Sequence, residues 1–537
     1  MTWTTINEIA RYGIVPDLSP HTLPPGAWSS GSNVRFRDRR IIKGRGFQGK
    51  YSQTTRQVYW GTNFVSDIKS YWVYADLTDL YIVVDNVAES NITRHNSSDV
   101  DEQYSTGLDQ LWNGGNLNGV LILNNGSDTP QQFVPGVDTR ASNLTNWPTD
   151  LLCNVIRPFG YYLVAMNLKQ GTEARVPNRI RWSHPAVPGE VPSSWDITDA
   201  AVDAGEFDLP DRRPGDIVDG AQLRDWFLIY ERNAIWGMRF VGGNNIFSFT
   251  QLFPTIGALA TDCVAPFDHR GGQFHCVYTG DNIIAHDGRS VIQTLEGRAT
   301  RQVMRELDES NWRRSYVVNI PEVSENWICY PSLGSLYPNR ALTWNFNEDT
   351  VSFRDLDNIN WITLGIVDDG GDRGSWDEQE GTWGEQSVSW GSSSEQQHNI
   401  RPVGFSRSSV SSDASIVQMD ESTANDGEIA AELLERRDLA ILPDLRTRDP
   451  IADLESRKML KGVRLQLTGG PIEVSVAATE KVGQIPAYGN QYTLTEENSE
   501  LFDIVEGRSF CLRISAATKN HWELSGYSLD IERTGDS

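Results

Sequence analysis

The residue types that most often carry chemistry occur in this chain, but few of them have the spacing of a reactive site. His275 and His286 lie in a predicted strand pair beside Cys276, where a His–Cys zinc site is conceivable and histidines satisfied within a strand are the simpler interpretation. The five Cys include no CxxC pair, and most lie in apolar or aromatic runs that are typical of buried strands. Phosphate-loop, serine-elbow and zincin motifs do not occur in the sequence. We therefore predict no catalytic residue, no metal ligand and no cofactor.

The most enzyme-like pattern is a group of carboxylates at residues 368–380, which includes Asp372 and Asp377. Paired carboxylates beside Trp376 and Trp383 could bind or cleave a polysaccharide, as in propeller glycosidases. They could also bind Ca²⁺, although the loop pattern of an EF-hand is absent. A solvated acidic loop is the simpler interpretation. A carbohydrate-binding or polysaccharide-degrading β-propeller is therefore the alternative function.

One basic segment, residues 33–50, reverses the sign of an otherwise acidic chain. It carries seven Lys and Arg residues, among them Arg35, Arg37, Arg39 and Arg40, against a single Asp. Because clustered arginines attract carboxylates and phosphates, the segment could dock to an acidic neighbour. Apolar residues alternate with the charges, however, which is typical of a hairpin with one solvated face. The sequence leaves both interpretations open.

The composition is that of a large, acidic, globular chain. Its 537 residues carry 47 Lys+Arg and 72 Asp+Glu, a net charge of −25, so its surface as a whole will not wrap nucleic acid. An acidic channel would instead let DNA slide past without binding it. The sequence has no apolar run of about 18 residues, which predicts no membrane span, and its start does not have the pattern of a secretory signal. Five widely spaced Cys, odd in number, argue against a disulfide scaffold and predict assembly in a reducing cytoplasm.

Short apolar and aromatic runs separated by Gly, Asn and Asp predict many short strands joined by tight turns. Hairpins are predicted at 223–243, at 274–288 and at 461–478, the last turning at Gly469-Gly470. Pairs of strands recur about every 40–50 residues, which is typical of a β-propeller. A set of β-sandwiches is the alternative all-β architecture.

These patterns predict a mainly β fold with four parts. Residues 1–50 form an extended N-terminal arm and a hairpin, and residues 51–367 form a β-propeller core. Residues 368–440 hold a Trp-rich acidic loop and the final propeller strands, and residues 441–537 form a β-sandwich-like domain. Helix is scarce, and its best candidate, residues 428–440, can also be an alternating strand.

The stretch 23–47 (LPPGAWSSGSNVRFRDRRIIKGRGF) resembles the N-terminal signature of the tail nozzle, or tail tubular B-like, proteins of short-tailed bacteriophages. Segments 177–196, 205–238 and 277–295 are similar to later pieces of the same family, in the same order. Asp38-Arg39 replaces the usual Asp-Gly, which changes the turn and not the hairpin. The matching positions in the first stretch are Gly26, Ala27, Ser30, Gly31, Asn33, Arg35, Phe36, Asp38, Lys43 and Gly46.

This resemblance implies a non-enzymatic structural protein of the virion tail, assembled in the host cytoplasm. Six copies would form a ring below the portal and the head-to-tail adaptor, with tail fibres or a needle as further partners, and double-stranded DNA would pass through the ring. We expect assembly contacts in the hairpin region and in the Trp loop, and replacing the four arginines by Ser should weaken assembly without changing the fold. The candidate contacts are Trp28, Arg35, Arg37, Arg39, Arg40, Trp376, Trp383 and Trp390.

Overall fold

The chain is mainly β, as the sequence predicts. The computed structural model describes residues 3–49, 57–66, 69–84, 89–96, 98–109, 111–210, 215–243, 245–367, 400–406, 416–425, 431–444, 449–516 and 518–535. These residues contain 42 strands, one α-helix (α1, Thr300–Glu306) and three 3-10 turns, Pro20–Thr22, Trp312–Arg314 and Pro321–Val323. No helix in this described part is long and apolar enough to cross a membrane.

The strands are short and follow one another closely. Those before residue 150 are β1 (Trp3–Ile6), β2 (Ser30–Ser32), β3 (Val34–Arg37), β4 (Arg40–Lys43), β5 (Phe47–Gly49), β6 (Trp60–Ser66), β7 (Lys69–Ala75), β8 (Leu80–Val84), β9 (Ser90–Asn91), β10 (Asn113–Leu117), β11 (Val120–Asn124), β12 (Gln131–Phe133) and β13 (Ser142–Asn143). The next are β14 (Leu151–Phe159), β15 (Tyr162–Gln170), β16 (Val176–Trp182), β17 (Gly205–Asp208), β18 (Ile217–Leu223), β19 (Trp226–Glu231), β20 (Ile235–Phe240), β21 (Phe247–Phe253), β22 (Val264–His269), β23 (Gly272–Tyr278), β24 (Ile283–His286) and β25 (Val291–Thr294). Those after residue 310 are β26 (Tyr316–Ile320), β27 (Glu325–Tyr330), β28 (Arg340–Asn345), β29 (Thr350–Asp355), β30 (Ile359–Ile366), β31 (Ile400–Ser406), β32 (Ile416–Met419), β33 (Glu432–Leu439), β34 (Ile441–Pro443), β35 (Pro450–Ala452), β36 (Arg457–Gly469), β37 (Ile472–Thr479), β38 (Gln491–Leu494), β39 (Glu500–Leu501), β40 (Val505–Gly507), β41 (Ser509–Ala516) and β42 (Trp522–Gly535).

Four-stranded sheets recur along the chain. Each of β6–β9, β10–β13, β14–β17, β18–β21, β22–β25 and β26–β29 is a sheet whose strands follow chain order, and β30, β31 and β32 continue in a further sheet. Neighbouring strands are antiparallel, and such a meander is the unit of a propeller blade. Two predicted hairpins are confirmed, 223–243 as β19–β20 and 274–288 as β23–β24.

The chain forms two compact units. The first comprises Met1–Gln48, Phe267–Asp357 and Asp420–Ser537, and the second comprises Gly49–Pro266 and Asn358–Met419. Each unit therefore combines segments that are far apart in the sequence.

In the second unit, the last sheet in the sequence packs against the first. The Asn360 side-chain amide donates to the Val58 carbonyl at 2.8 Å, and the Trp361 indole donates to the Gly61 carbonyl at 2.9 Å. Gly61 is required there, because an added Cβ would lie 2.4 Å from the Phe405 ring. Along the same unit, the Asn113 amide donates to the Asn154 carbonyl at 2.9 Å and so joins β10 to the next sheet. Side-chain N–H groups thus join the backbones of adjacent sheets.

The first unit contains two larger sheets built from both ends of the chain. The seven-stranded sheet has the order β3-β4-β42-β36-β39, with β1 on β42 and β40 on β36, and the five-stranded sheet has the order β2-β33-β41-β37-β38. Residues 3–6 therefore pair with the C-terminal strand. The segment 428–440, open between helix and strand, contains strand β33.

The predicted hairpin at 461–478 is wrong. β36 pairs with β42, β39 and β40, whereas β37 pairs with β38 and β41, so the strands on either side of Gly469-Gly470 enter different sheets. Both strands alternate apolar and polar residues, and that pattern suits either pairing. The long strand β42 supplies β36 with a partner that no local turn signal reveals.

Candidate functional site

The basic segment contains a hairpin with a two-residue turn. β3 and β4 pair from Val34↔Lys43 to Arg37↔Arg40. Asp38 and Arg39 form the turn, with φ of 53° and 60°. Two left-handed central residues are typical of a type I′ turn, which matches the twist of the flanking strands. The hairpin therefore forms although this chain has Asp38-Arg39 where the signature that it resembles has Asp-Gly.

Two signature glycines stand where another part of the chain approaches the backbone closely. A Cβ on Gly26 would lie 2.2 Å from the Glu8 carbonyl oxygen, and a Cβ on Gly46 would lie 2.2 Å from that of Ala424. Between them, the Asn33 amide donates to the Asp355 carboxylate at 2.8 Å. The signature residues thus bring the start of the chain against distant parts of the first unit.

Arg35 does not face solvent but enters a buried ion network. Its guanidinium lies 2.6 Å from a carboxylate oxygen of Glu325 and 2.6 Å from one of Asp420. The Arg35 side chain is 10% exposed. Burial acts to lower the pKa of Arg35, but Asp420 and Glu325 outweigh it and raise that pKa. Arg35 is therefore held as a cation by its own chain.

The same network contains a second arginine. Arg354 lies 2.6 Å from the other Asp420 carboxylate oxygen, and its guanidinium stands over the Trp327 ring at 4.5 Å. The Trp327 indole donates to Glu325 at 2.8 Å. Two buried cations thus balance two buried carboxylates, which joins hairpin strand β3 to strands β27 and β29 and to Asp420.

The other end of the hairpin holds a second buried ion pair. The Lys43 ammonium lies 2.9 Å from Glu432, and the two side chains are 2% and 1% exposed. Burial raises the pKa of Glu432, while Lys43 acts in the opposite direction. Because Lys43 is on β4 and Glu432 is on β33, this pair joins the seven-stranded sheet to the five-stranded sheet.

Only the tip of the hairpin presents its arginines to solvent. The Arg37 side chain is 47% exposed and the Arg40 side chain 57%, and Arg39 is also exposed. Arg40 pairs with Glu523 at 2.7 Å, and the Asp38 backbone amide donates to Glu348 at 2.7 Å. We call Arg37, Arg39 and Arg40 the basic tip.

The remaining candidate contacts lie elsewhere. Trp28 is 1% exposed, donates its indole N–H to the Ile9 carbonyl at 2.8 Å and packs 6.1 Å from the Tyr527 ring. Trp28 and Arg35 therefore contact their own chain. The acidic Trp segment with Trp376, Trp383 and Trp390 lies outside the described residues.

The two histidines of the conceivable zinc site face each other across a strand pair. His275 and His286 are register partners on β23 and β24, their rings are 5.8 Å apart, and both are fully buried. The His286 ring accepts a hydrogen bond from the Gly288 N–H at 3.1 Å. Over the described ranges, no group of three or more His, Cys, Asp or Glu side chains is arranged to hold a metal ion.

Burial of His286 predicts a pH-dependent stability. Burial, and then His275, lower its pKa from 6.5 to about 3. The unfolded chain therefore binds this proton first as the pH falls below 6.5, and stability should fall by up to about 1.4 kcal/mol per pH unit toward acid. Urea unfolding at several pH values should show this slope, and His286→Gln should reduce it. The half-buried His269, which hydrogen-bonds the uncharged Asn347, supplies the control as His269→Gln. An unchanged slope in His286→Gln would contradict the assignment.

A buried triad that the sequence analysis missed joins two sheets of the second unit. Arg157 on β14 lies 2.9 Å from Asp219 on β18 and 2.7 Å from Asp262. Burial raises the pKa of Asp262 to about 6, although Arg157 acts to lower it. No local motif marks these residues, because 62 positions separate Arg157 from Asp219 and 105 separate it from Asp262. We assign the triad to packing, since Arg157 pairs with both carboxylates and so joins the two sheets.

Comparisons with known proteins find only structural neighbours of low similarity. No family model matches it, and no curated protein matches it. Solved structures that resemble it include the AfRom2 CNH domain (7% identity, TM-score 0.36, 69% of this chain and 97% of that one) and the Trypanosoma rangeli sialidase (8% identity, TM-score 0.31, 82% and 94%). BBS1N, solved in complex with ARL6DN, matches at 11% identity and TM-score 0.36 over 70% and 95%. At TM-scores this low, the fold class follows from the strand pairing of the chain itself.

Proposed function

We propose that this chain is a non-enzymatic structural protein of a short-tailed bacteriophage. It forms a ring, hexameric by its resemblance to the tail nozzle family, below the portal and adaptor, and it retains and conducts the genomic DNA. The recurring four-stranded sheets are the blades of its propeller body. The two C-terminal sheets, joined by Lys43 and Glu432, form its sandwich.

The observation that carries this proposal is the structural role of the signature residues. Gly26 and Gly46 allow close backbone approaches, Arg35 and Lys43 end in buried ion pairs, and Asp38 takes the left-handed turn position. The positions that this chain shares with the family signature are thus sterically or electrostatically constrained, which supports a structural role for the signature. The same segment presents the exposed basic tip.

The charge of the chain supports a conduit for DNA. At a net charge of −25, the surface repels phosphate, so DNA can pass without the counterion release that drives tight binding. The basic tip supplies the local attraction that assembly requires, at a place where three arginines are exposed.

Quantitative mass spectrometry of purified virus particles tests the proposal. Scaled to the capsid protein, about six copies per particle are expected for a single closed ring. The portal and adaptor proteins in the same sample calibrate the stoichiometry. Absence of the chain from particles would overturn the proposal and would direct attention to polysaccharide binding.

A further inference from the structure

The two edges of the seven-stranded sheet carry opposite charges. At the β3 edge stands the basic tip, in which Arg37 lies 3.7 Å from Asp38, Arg40 pairs with Glu523 at 2.7 Å, and Arg39 has no ion pair among the described residues. Residues 495–506 lie at the β39–β40 edge and hold five carboxylates and neither Lys nor Arg. We call residues 495–506 the acidic edge.

The acidic edge also exposes apolar side chains. Phe502 is 59% exposed and Ile504 is 69% exposed. β39 pairs with β36 at Val463 and Arg464, and β40 pairs with it up to Leu460, so Phe502–Ile504 lie outside the strand pairing. Phe502 and Ile504 therefore stand as exposed apolar side chains beside the carboxylates of this edge.

Most of the negative charge at this edge is not neutralised locally. Glu500 pairs with Arg464 at 2.6 Å. Glu496 accepts the Gly469 backbone amide at 3.0 Å, and Glu506 accepts the Thr534 hydroxyl at 3.1 Å, neither of which carries charge. The nearby Lys461 pairs with Glu532. Four carboxylates therefore have no ion pair among the described residues.

The basic tip cannot satisfy the acidic edge of its own chain. Four strand spacings separate β3 from β39 in the sheet order, which is about 19 Å. Arg40 is moreover held by Glu523 and the turn by Glu348, so the hairpin is fixed on its own side. Only another molecule can bring the two charged surfaces together.

We infer that the basic tip of one copy binds the acidic edge of the next copy of this chain. This inference rests on the ring of the proposed function and names the surfaces that would form it. Because tip and edge are different patches, the contact is heterologous, and its repetition gives a closed ring or a filament. The arginine stems can lie against Phe502 and Ile504 while their guanidinium groups meet the carboxylates.

Charge reversal in the full-length chain tests this contact. One variant carries Arg37→Glu, Arg39→Glu and Arg40→Glu, a second carries Glu497→Lys, Asp503→Lys and Glu506→Lys, and a third carries all six changes. Sedimentation velocity should show self-association of the wild-type chain that weakens with salt. Each of the two triple variants should associate at least about tenfold more weakly than the wild-type chain. The variant with all six substitutions should regain most of the association.

A matched control separates this contact from net charge and folding. Arg289, Arg301 and Arg305 are also exposed, and their reversal to Glu changes net charge equally. That variant should associate like wild type, and thermal unfolding should be cooperative in every variant. A wild-type chain that stays monomeric at all concentrations, or reversals that are not restored in combination, would overturn the inference. Loss of adaptor binding with unchanged self-association would assign the tip to the adaptor and also overturn it.

The outcome is independent of the particle measurement. If particles contain six copies and charge reversal does not change self-association, the nozzle proposal is supported and the proposed contact is wrong. If the variant with all six substitutions regains association and particles contain no copies, the contact is supported and the nozzle proposal is wrong.

Discussion

Replacing Arg35 with Met should lower the free energy of unfolding by about 3–5 kcal/mol. The change removes one cation from a buried network, so that Asp420 keeps Arg354 and Glu325 loses its ion-pair partner. A buried carboxylate without its partner is costly, because the interior cannot replace the water it has lost. Urea unfolding of the purified chain measures the difference.

The exposed arginines supply the control for Arg35. Arg40→Met removes a surface pair with Glu523, and such pairs contribute about 0–1 kcal/mol. The expectation that all four arginines can become Ser without changing the fold is therefore corrected, since Arg35 is structural and an assembly test must be confined to the tip. Equal, small losses for Arg35→Met and Arg40→Met would contradict the network.

Replacing Lys43 with Met should cost a similar amount, about 3–5 kcal/mol. Glu432 would then remain buried without its ion-pair partner, and its pKa, already raised by burial, would rise further. Its stability loss should be largest at neutral pH and should shrink as the pH falls and Glu432 takes up a proton.

The double variant Lys43→Met/Glu432→Leu tests the cause. Replacing both partners of a buried pair by apolar residues is often neutral or stabilising, so the double variant should recover most of the lost stability. Glu432→Leu alone, which leaves a buried ammonium, is the matched control and should be destabilising. A double variant whose loss equals the sum of the single losses would show that the two residues are not coupled.

Local patterns were sufficient where a strand's partner is its neighbour in the chain. The hairpins at 223–243 and 274–288 follow from apolar runs around a turn, and they form as predicted because loop closure is short. The hairpin of β3 and β4 was equally readable, including the alternation that buries Val34, Phe36 and Ile41. The scarcity of helix also followed from composition.

Local patterns failed where the partner is distant. Gly469-Gly470 has the sequence of a hairpin turn, yet β36 is taken by β42 and β37 by β41. The alternation of 428–440 could not decide between helix and strand until β41 provided a partner for β33. Which strand pairs with which depends on the faces that meet in three dimensions. The alternation of apolar and polar residues does not identify the partner strand.

The sequence by itself determined the fold class, the basic hairpin and the acidic balance of the chain, because periodicity, turn residues and charge are local properties. Only the tertiary structure decided which arginines are available to a partner. Arg35 and Arg37 are two positions apart on one strand, yet Arg35 is closed within Glu325 and Asp420 and Arg37 is open to solvent. The carboxylates that decide this lie 290 and 385 residues away, and only the folded chain brings them to Arg35.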